Sequence, residues 1–159
     1  MRYFLFDVIK ELKLGETIKA RKCVTLTDEV LHDHFPDIPI FPGALIIEGL
    51  AQVAGFLLET THNQDASRPV RRAVLSTVDK MKFKIPSRPG DALDYFAKID
   101  SLIDETAMLS VEARCGDEIR VQGRLMMTLL EVESNALTAQ RLQIYKIWSR
   151  ELQPCPILR

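Results

Sequence analysis

The run from Ala44 to Glu59, ALIIEGLAQVAGFLLE, constrains this chain more than any other segment. It follows Pro42, a residue favoured in a helix's first turn, and meets no breaker stronger than glycine before Thr60, so it reads as a helix. The helix is apolar nearly all round, whereas a helix lying on a surface keeps a wide polar face. The rest of the chain must therefore enclose it.

A membrane is the other way to bury such a segment, and Ile38 to Leu58 has the length for it. However, Pro39 and Pro42 stand near the start of that run and Glu48 and Gln52 at its centre. A carboxylate at that depth costs ~2.5 kcal/mol or more, which argues against a span. The N-terminal MRYFLFDVIKEL lacks the long uncharged core and small-residue cleavage site of a signal peptide. Cys23, Cys115 and Cys155 are far apart, odd in number and without Cys-x-x-Cys spacing, so reduced thiols and a cytoplasmic location are expected.

Strands are available to cover the helix. FLFDVIKELKLGETIKARKCVTL reads as two strands broken at Gly15 and Glu16, in the manner of a hairpin. After the helix and the polar linker THNQDASRP, the run VRRAVLSTVDKMKFKI alternates Lys80, Lys82 and Lys84 with Met81, Phe83 and Ile85, which predicts one wet face and one dry face. The turns SRPGD and CGDE separate further strand-like runs, giving four or more antiparallel strands after the helix. The pattern is α+β, a curled sheet covering a helix.

A length of 159 residues with 47% apolar and 27% charged side chains suits one packed domain. We expect it to occupy residues 1–133. Residues 134–159 form a helical tail, with Leu137, Leu142, Tyr145, Trp148 and Leu152 on one face. The formal charge of -1 offers no global attraction to nucleic acid or anionic lipid, so any charged partner is read by a local patch.

Glu48 and Gln52 are the polar groups inside the helix before its last residue, and their spacing of four puts them on one face. A carboxyl buried there without a cation favours its neutral form and can donate a proton; a plain structural Glu–Gln pair is the bland alternative. His34 lies fourteen residues earlier, in a loop stiffened by Pro36, Pro39 and Pro42. A histidine on rigid backbone suits a general base, although a lone loop histidine is commonly just a surface residue. His32 and His34 lack companion ligands at familiar metal spacing, with only Asp33 and Asp37 nearby. Gly43 opens the helix, where unpaired N–H groups favour an anion or oxyanion, or else it serves tight packing beside Pro42.

The stretch HFPDIPIFPGALIIEGLAQ, residues 34–52, resembles the active-site segment of the 3-hydroxyacyl-acyl carrier protein dehydratases. LFDVIKELKLGETIKARKCVTL is similar to that family's opening hairpin and VDKMKFKIPSRPGDAL to its later strand and turn, so the likeness runs from about Leu5 to Val132. The resemblance implies a hot-dog fold, in which a curled antiparallel sheet wraps around a long central apolar helix. It implies His34 as the catalytic base, Glu48 as the acid, Gly43 as the N–H donor to the thioester carbonyl and Gln52 as the partner of Glu48. The branch of the family that also isomerises the double bond usually has Asp at the acidic position, so Glu48 favours plain dehydration. The lead-in departs from the family pattern, with Asp33 where glycine is usual and DEVLH before it.

The resemblance further implies a homodimer, alone or as a trimer of dimers, whose sites pair the histidine of one subunit with the acid of the other. The substrate would ride on the phosphopantetheine of acyl carrier protein, with no metal or redox cofactor. Phe41 and Phe83 are candidates for lining an acyl tunnel, and core packing accounts for them equally well. Residues 68–88 carry Arg68, Arg71, Arg72, Lys80, Lys82, Lys84 and Arg88 against the single acid Asp79. We assign Lys80, Lys82, Lys84 and Arg88 to carrier docking, against the plainer reading of a solvated strand face. An acyl thioesterase and a non-catalytic carrier-binding subunit are the rival functions.

Overall fold

A computed structural model describes residues 3–132 and 134–159. Strands β1 (Val8–Lys13) and β2 (Thr17–Cys23) form the opening hairpin. Gly15 takes a φ of 76° in the reversal, a conformation that L side chains rarely adopt. A single 3-10 turn, Glu29–His32, precedes the proline loop, and helix α1 then runs over Gly43–His62. Four strands follow: β3 (Arg71–Phe83), β4 (Ala92–Ile103), β5 (Thr106–Cys115) and β6 (Glu118–Glu131). Helix α2 (Asn135–Trp148) comes last.

All the strands pair antiparallel in one sheet of order β1-β2-β4-β5-β6-β3. Register shifts interrupt four of the five pairings, and such bulges bend strands and increase twist, so the sheet curls. Helix α1 packs against β2, β3, β4, β5 and β6 inside that curl. Leu50, Val53, Phe56 and Leu57 on α1 are fully buried, facing strand residues such as Leu93, Leu109 and Leu125. Each such side chain contributes roughly 1.5–3 kcal/mol on leaving water. This is the hot-dog arrangement the sequence implied. By length and composition α1 could cross a membrane, but 67% of its most apolar window is buried by the chain itself.

The alternation read in β3 fails at its end. Met81 is half-buried, but Phe83 is 56% exposed and Ile85 39% exposed, so the expected dry face is open in this chain. Lys80 sits at a φ of 51° inside a register shift between Asp79 and Lys82, and one displaced residue inverts a period of two. Strand β3 is also a sheet edge, with Val74 and Val78 exposed.

Helix α2 is capped by Ser134, whose Oγ accepts from Leu137 N at 3.2 Å, a side-chain cap on an otherwise unpaired donor. Its Trp148 stacks on Phe6 with ring centroids 3.9 Å apart. Leu152, expected on the same helical face, lies beyond the helix end but is still buried.

Candidate functional site

The proline loop is stapled to itself and to a neighbouring turn. Ile40 N donates to His34 O at 2.8 Å, Phe35 and Ile38 exchange backbone hydrogen bonds, and Phe41 N donates to Ser87 O at 2.7 Å. This holds the half-buried His34, whose Nδ1 lies 2.7 Å from Ile40 O. A carbonyl only accepts, so Nδ1 carries the hydrogen and the Nε2 lone pair is left free to take a proton. Asp33 is exposed and makes no hydrogen bond to the ring among the described residues. His32 is exposed, and no group of three His, Cys, Asp or Glu among the described residues is placed to hold a metal ion.

Gly43 is the first residue of α1. Pro42 caps the helix without a side-chain hydrogen bond, so the first N–H groups keep no helical acceptor. A Cβ at Gly43 would come 2.5 Å from Phe83 Cε1, so the Phe83 ring lies against that backbone and only glycine permits the approach. Phe41, Gly43 and Phe83 line one cavity of about 520 Å³ together with Ile40, Ile46 and Ser87.

Glu48 lies about one and a half turns further along α1 and is half-buried. Gln52 Nε2 donates to its Oε1 at 2.9 Å and to Tyr3 O at 3.0 Å, while Gln52 Oε1 accepts from Leu5 N at 3.0 Å. Gln52 thus fixes Glu48 and pins the N-terminal segment beside it. Both residues line a second cleft, of about 310 Å³. His34 lines neither this cleft nor the cavity at Gly43.

The basic stretch divides in two. Arg72 is buried and paired with Glu59, Arg71 pairs with Glu105 and Glu131, and Arg68 pairs with Asp65. All three are paired, and Arg72 alone is buried. Lys80, Lys82, Lys84 and Arg88 are exposed and make no ion pair among the described residues, while the nearby acid Asp79 pairs with Arg124.

Glu59, read from sequence only as the end of the apolar run, is 1% exposed. It accepts from Arg72 Nη1 at 3.2 Å, Ala73 N at 2.9 Å, Arg141 Nη1 at 2.8 Å and Tyr145 Oη at 2.7 Å. Burial, and then the Glu59 charge, push the Tyr145 phenol well above its ordinary range, so it stays a donor. The spacing of 48, 52, 55 and 59 puts Glu59 on the face of Glu48 and Gln52, and that is the signal that could have found it.

A family model described as the FabA-like domain matches residues 2–124. The chain is 35% identical over 130 residues to the 3-hydroxyacyl-acyl-carrier-protein dehydratase FabZ of Campylobacter hominis, covering 81% of this chain and 88% of that protein. It is likewise 35% identical over 140 residues to the FabZ of Helicobacter pylori, covering 86% of this chain and 82% of the relative. Among solved structures, the dehydratase heterocomplex ApeI:P from Xenorhabdus doucetiae superposes with a TM-score of 0.67 over 87% of this chain and 89% of its own, at 17% identity. With a family match over most of its length and relatives well above 30% identity, the chain belongs to the FabA-like family.

Proposed function

We propose that this protein is a hydro-lyase of fatty acid biosynthesis, converting a (3R)-3-hydroxyacyl-acyl carrier protein to the trans-2-enoyl-acyl carrier protein. The observation that carries the mechanism is the bond between His34 Nδ1 and the Ile40 carbonyl, which makes Nδ1 the donor and so, in the neutral ring, Nε2 the acceptor, held in place. Nε2 removes the C2 proton, and the carbonyl oxygen takes up negative charge opposite the Gly43 N–H and the positive end of α1. The electrons then form the C2–C3 double bond as the C3–O bond breaks. Glu48 gives its proton to the departing hydroxyl, which leaves as water. A proton passing from His34 to Glu48 through solvent restores both groups. The sequence is redox-neutral and needs no electron carrier, and phosphopantetheine enters as part of the substrate.

The site is composite in this reading, His34 of one subunit working with Glu48 of the other in a homodimer, which can assemble further into a trimer of dimers. Two features support it. Glu48 lines one cleft and Gly43 another cavity, and His34 lines neither of these two. Strand β3 offers a thirteen-residue edge bearing exposed Val74 and Val78, the kind of edge that pairs with another strand. The unpaired Lys80, Lys82, Lys84 and Arg88 suit an acidic carrier protein, and the free thiols of Cys23, Cys115 and Cys155 suit a cytoplasmic enzyme.

The test is purified protein with a 3-hydroxyacyl carrier protein, following enoyl absorbance and free thiol together. Enoyl product without thiol release is the expected result. Thiol release would make it a thioesterase, and the absence of both products would make it a non-catalytic carrier-binding subunit.

A further inference from the structure

The cleft at Glu48 has a second wall that lies beyond the residues matched by the FabA-like model. We propose that helix α2 forms the blind end of the acyl chamber and sets the longest chain the enzyme accepts, a reading that rests on the dehydratase function above.

The cleft starts at the acid and follows one face of α1 through Ala51 and Gln52 to Gly55. Opposite α1, Ala73 and Leu75 of β3 and Met127 of β6 close it with apolar surface. The remaining side is α2, through Leu137, Gln140, Arg141, Ile144, Tyr145 and Trp148. These positions fall at helical spacing, so a single face of α2 is turned to the cleft. All of them lie beyond residue 124, where the FabA-like match ends.

The chamber stops because the next turn of α1 is occupied. Glu59, one turn past Gly55, does not line the cleft, and its carboxylate is saturated by Arg72, Ala73 N, Arg141 and Tyr145. Those bonds fix α2 against α1 and engage Arg141 Nη1 and the Tyr145 hydroxyl. Leu137, Ile144 and the side of the Tyr145 ring give that end an apolar surface, beside Gln140 and Arg141, that suits a methyl terminus. From Glu48 to Gly55 is seven residues, or about 10 Å at the helical rise. That length holds roughly eight carbons of zigzag chain with bonds of ~1.5 Å. With C3 at Glu48, the chamber takes chains up to about decanoyl.

Gly55 controls the width. A Cβ there would meet Met127 Cε at 3.5 Å and Ala73 Cβ at 3.7 Å, ordinary contact distances, so a methyl fits and a larger side chain would take up space in the cleft that Gly55 lines.

The experiment measures kcat/KM across 3-hydroxybutyryl, 3-hydroxyhexanoyl, 3-hydroxydecanoyl and 3-hydroxyhexadecanoyl carrier proteins. A single methylene in an apolar pocket discriminates by about tenfold or more, so the wild type should lose at least that factor between decanoyl and hexadecanoyl. The double substitution Leu137→Ala with Ile144→Ala should raise the hexadecanoyl-to-hexanoyl ratio about tenfold. Gly55→Leu, made on the other wall and independent of α2 folding, should lower the decanoyl-to-butyryl ratio by a similar factor. Ratios within twofold of wild type in both variants would overturn the assignment, as would a wild type indifferent to length. If no chain length is dehydrated, the functional reading fails alone, because dissociation constants for acyl carrier proteins of graded length still report the chamber. Affinity that rises to decanoyl and then stops, and shifts in the two variants, upholds it. Affinity that climbs unchanged through hexadecanoyl refutes it.

Discussion

Gln52 ties Glu48 to the N-terminal segment: Nε2 donates at 2.9 Å to Glu48 Oε1 and at 3.0 Å to Tyr3 O, and Oε1 accepts from Leu5 N. The glutamine therefore positions the acid and cannot itself reach the reacting atoms without breaking one of these bonds. Gln52→Leu should lower kcat by up to about a hundredfold through misplacement of the carboxyl, with KM little changed. It should also cost ~1–3 kcal/mol of stability, because Leu5 N loses its acceptor. Steady-state kinetics with a urea melt on the same preparation checks both. A kcat equal to wild type would remove Gln52 from the site.

His34→Ala and Glu48→Gln should each lower kcat by ~10²–10⁴-fold with the fold intact, since neither side chain belongs to the buried core. Far-ultraviolet circular dichroism and denaturant midpoints establish the fold, and enoyl formation establishes the loss. Near-wild-type rates in both variants would overturn the assignment.

The legible parts of this chain are the local ones. Pro42 and the apolar run after it specify α1 from adjacent residues, and a spacing of four puts Glu48 and Gln52 together wherever the helix goes. The pinned tautomer of His34 is also a short-range matter, since its acceptor Ile40 is six residues away. The helical spacing places Glu59 on the same face as Glu48 and Gln52, but its partners were not legible, because Arg72, Arg141 and Tyr145 reach it from 13, 82 and 86 residues away. Composition counted Arg71 and Arg72 as free positive charge, and only the tertiary pairing shows Arg72 held by Glu59 inside the fold and Arg71 held by Glu105 and Glu131 at its surface. The end of β3 was misread because a bulge between Asp79 and Lys82 leaves no mark in a period-two pattern.

The composite site makes a mixing experiment decisive. Protomers carrying His34→Ala and protomers carrying Glu48→Gln are each inactive, and a heterodimer built across the interface has one site with both wild-type residues. Random exchange at equal amounts should restore about a quarter of wild-type activity, because half the dimers regain one site of two. No recovery despite subunit exchange verified by native mass spectrometry would place both residues in one subunit.

Glu59→Gln tests the lock that holds α2. The Glu59 and Arg72 side chains are 1% and 2% exposed, so removing one charge strands the other inside the fold. Breaking a buried pair this way costs ~3–5 kcal/mol, whereas an exposed pair costs little. The urea midpoint should fall accordingly, and limited proteolysis should cut first within α2, which loses the bonds from Arg141 and Tyr145 to the carboxylate. A midpoint within error of wild type would show that the network contributes nothing to stability.

Carrier docking is tested by reversing Lys80, Lys82 and Lys84 to Glu. These side chains are exposed and outside every ion pair among the described residues, so the change should alter association without touching chemistry. Rim charges act mainly on the association rate and its salt dependence. The wild-type rate at low carrier-bound substrate should therefore fall as salt rises from about 0.01 to 0.15 M, where the screening length shrinks from ~30 to ~8 Å. The reversed variant should start low and show little or the opposite dependence. A short thioester without the carrier protein should be turned over equally by both forms, because nothing in it reads the lysines. Lys80 lies in the β3 bulge, so a structural role is the competing account, and it predicts equal losses on both substrates. That outcome would end the docking assignment.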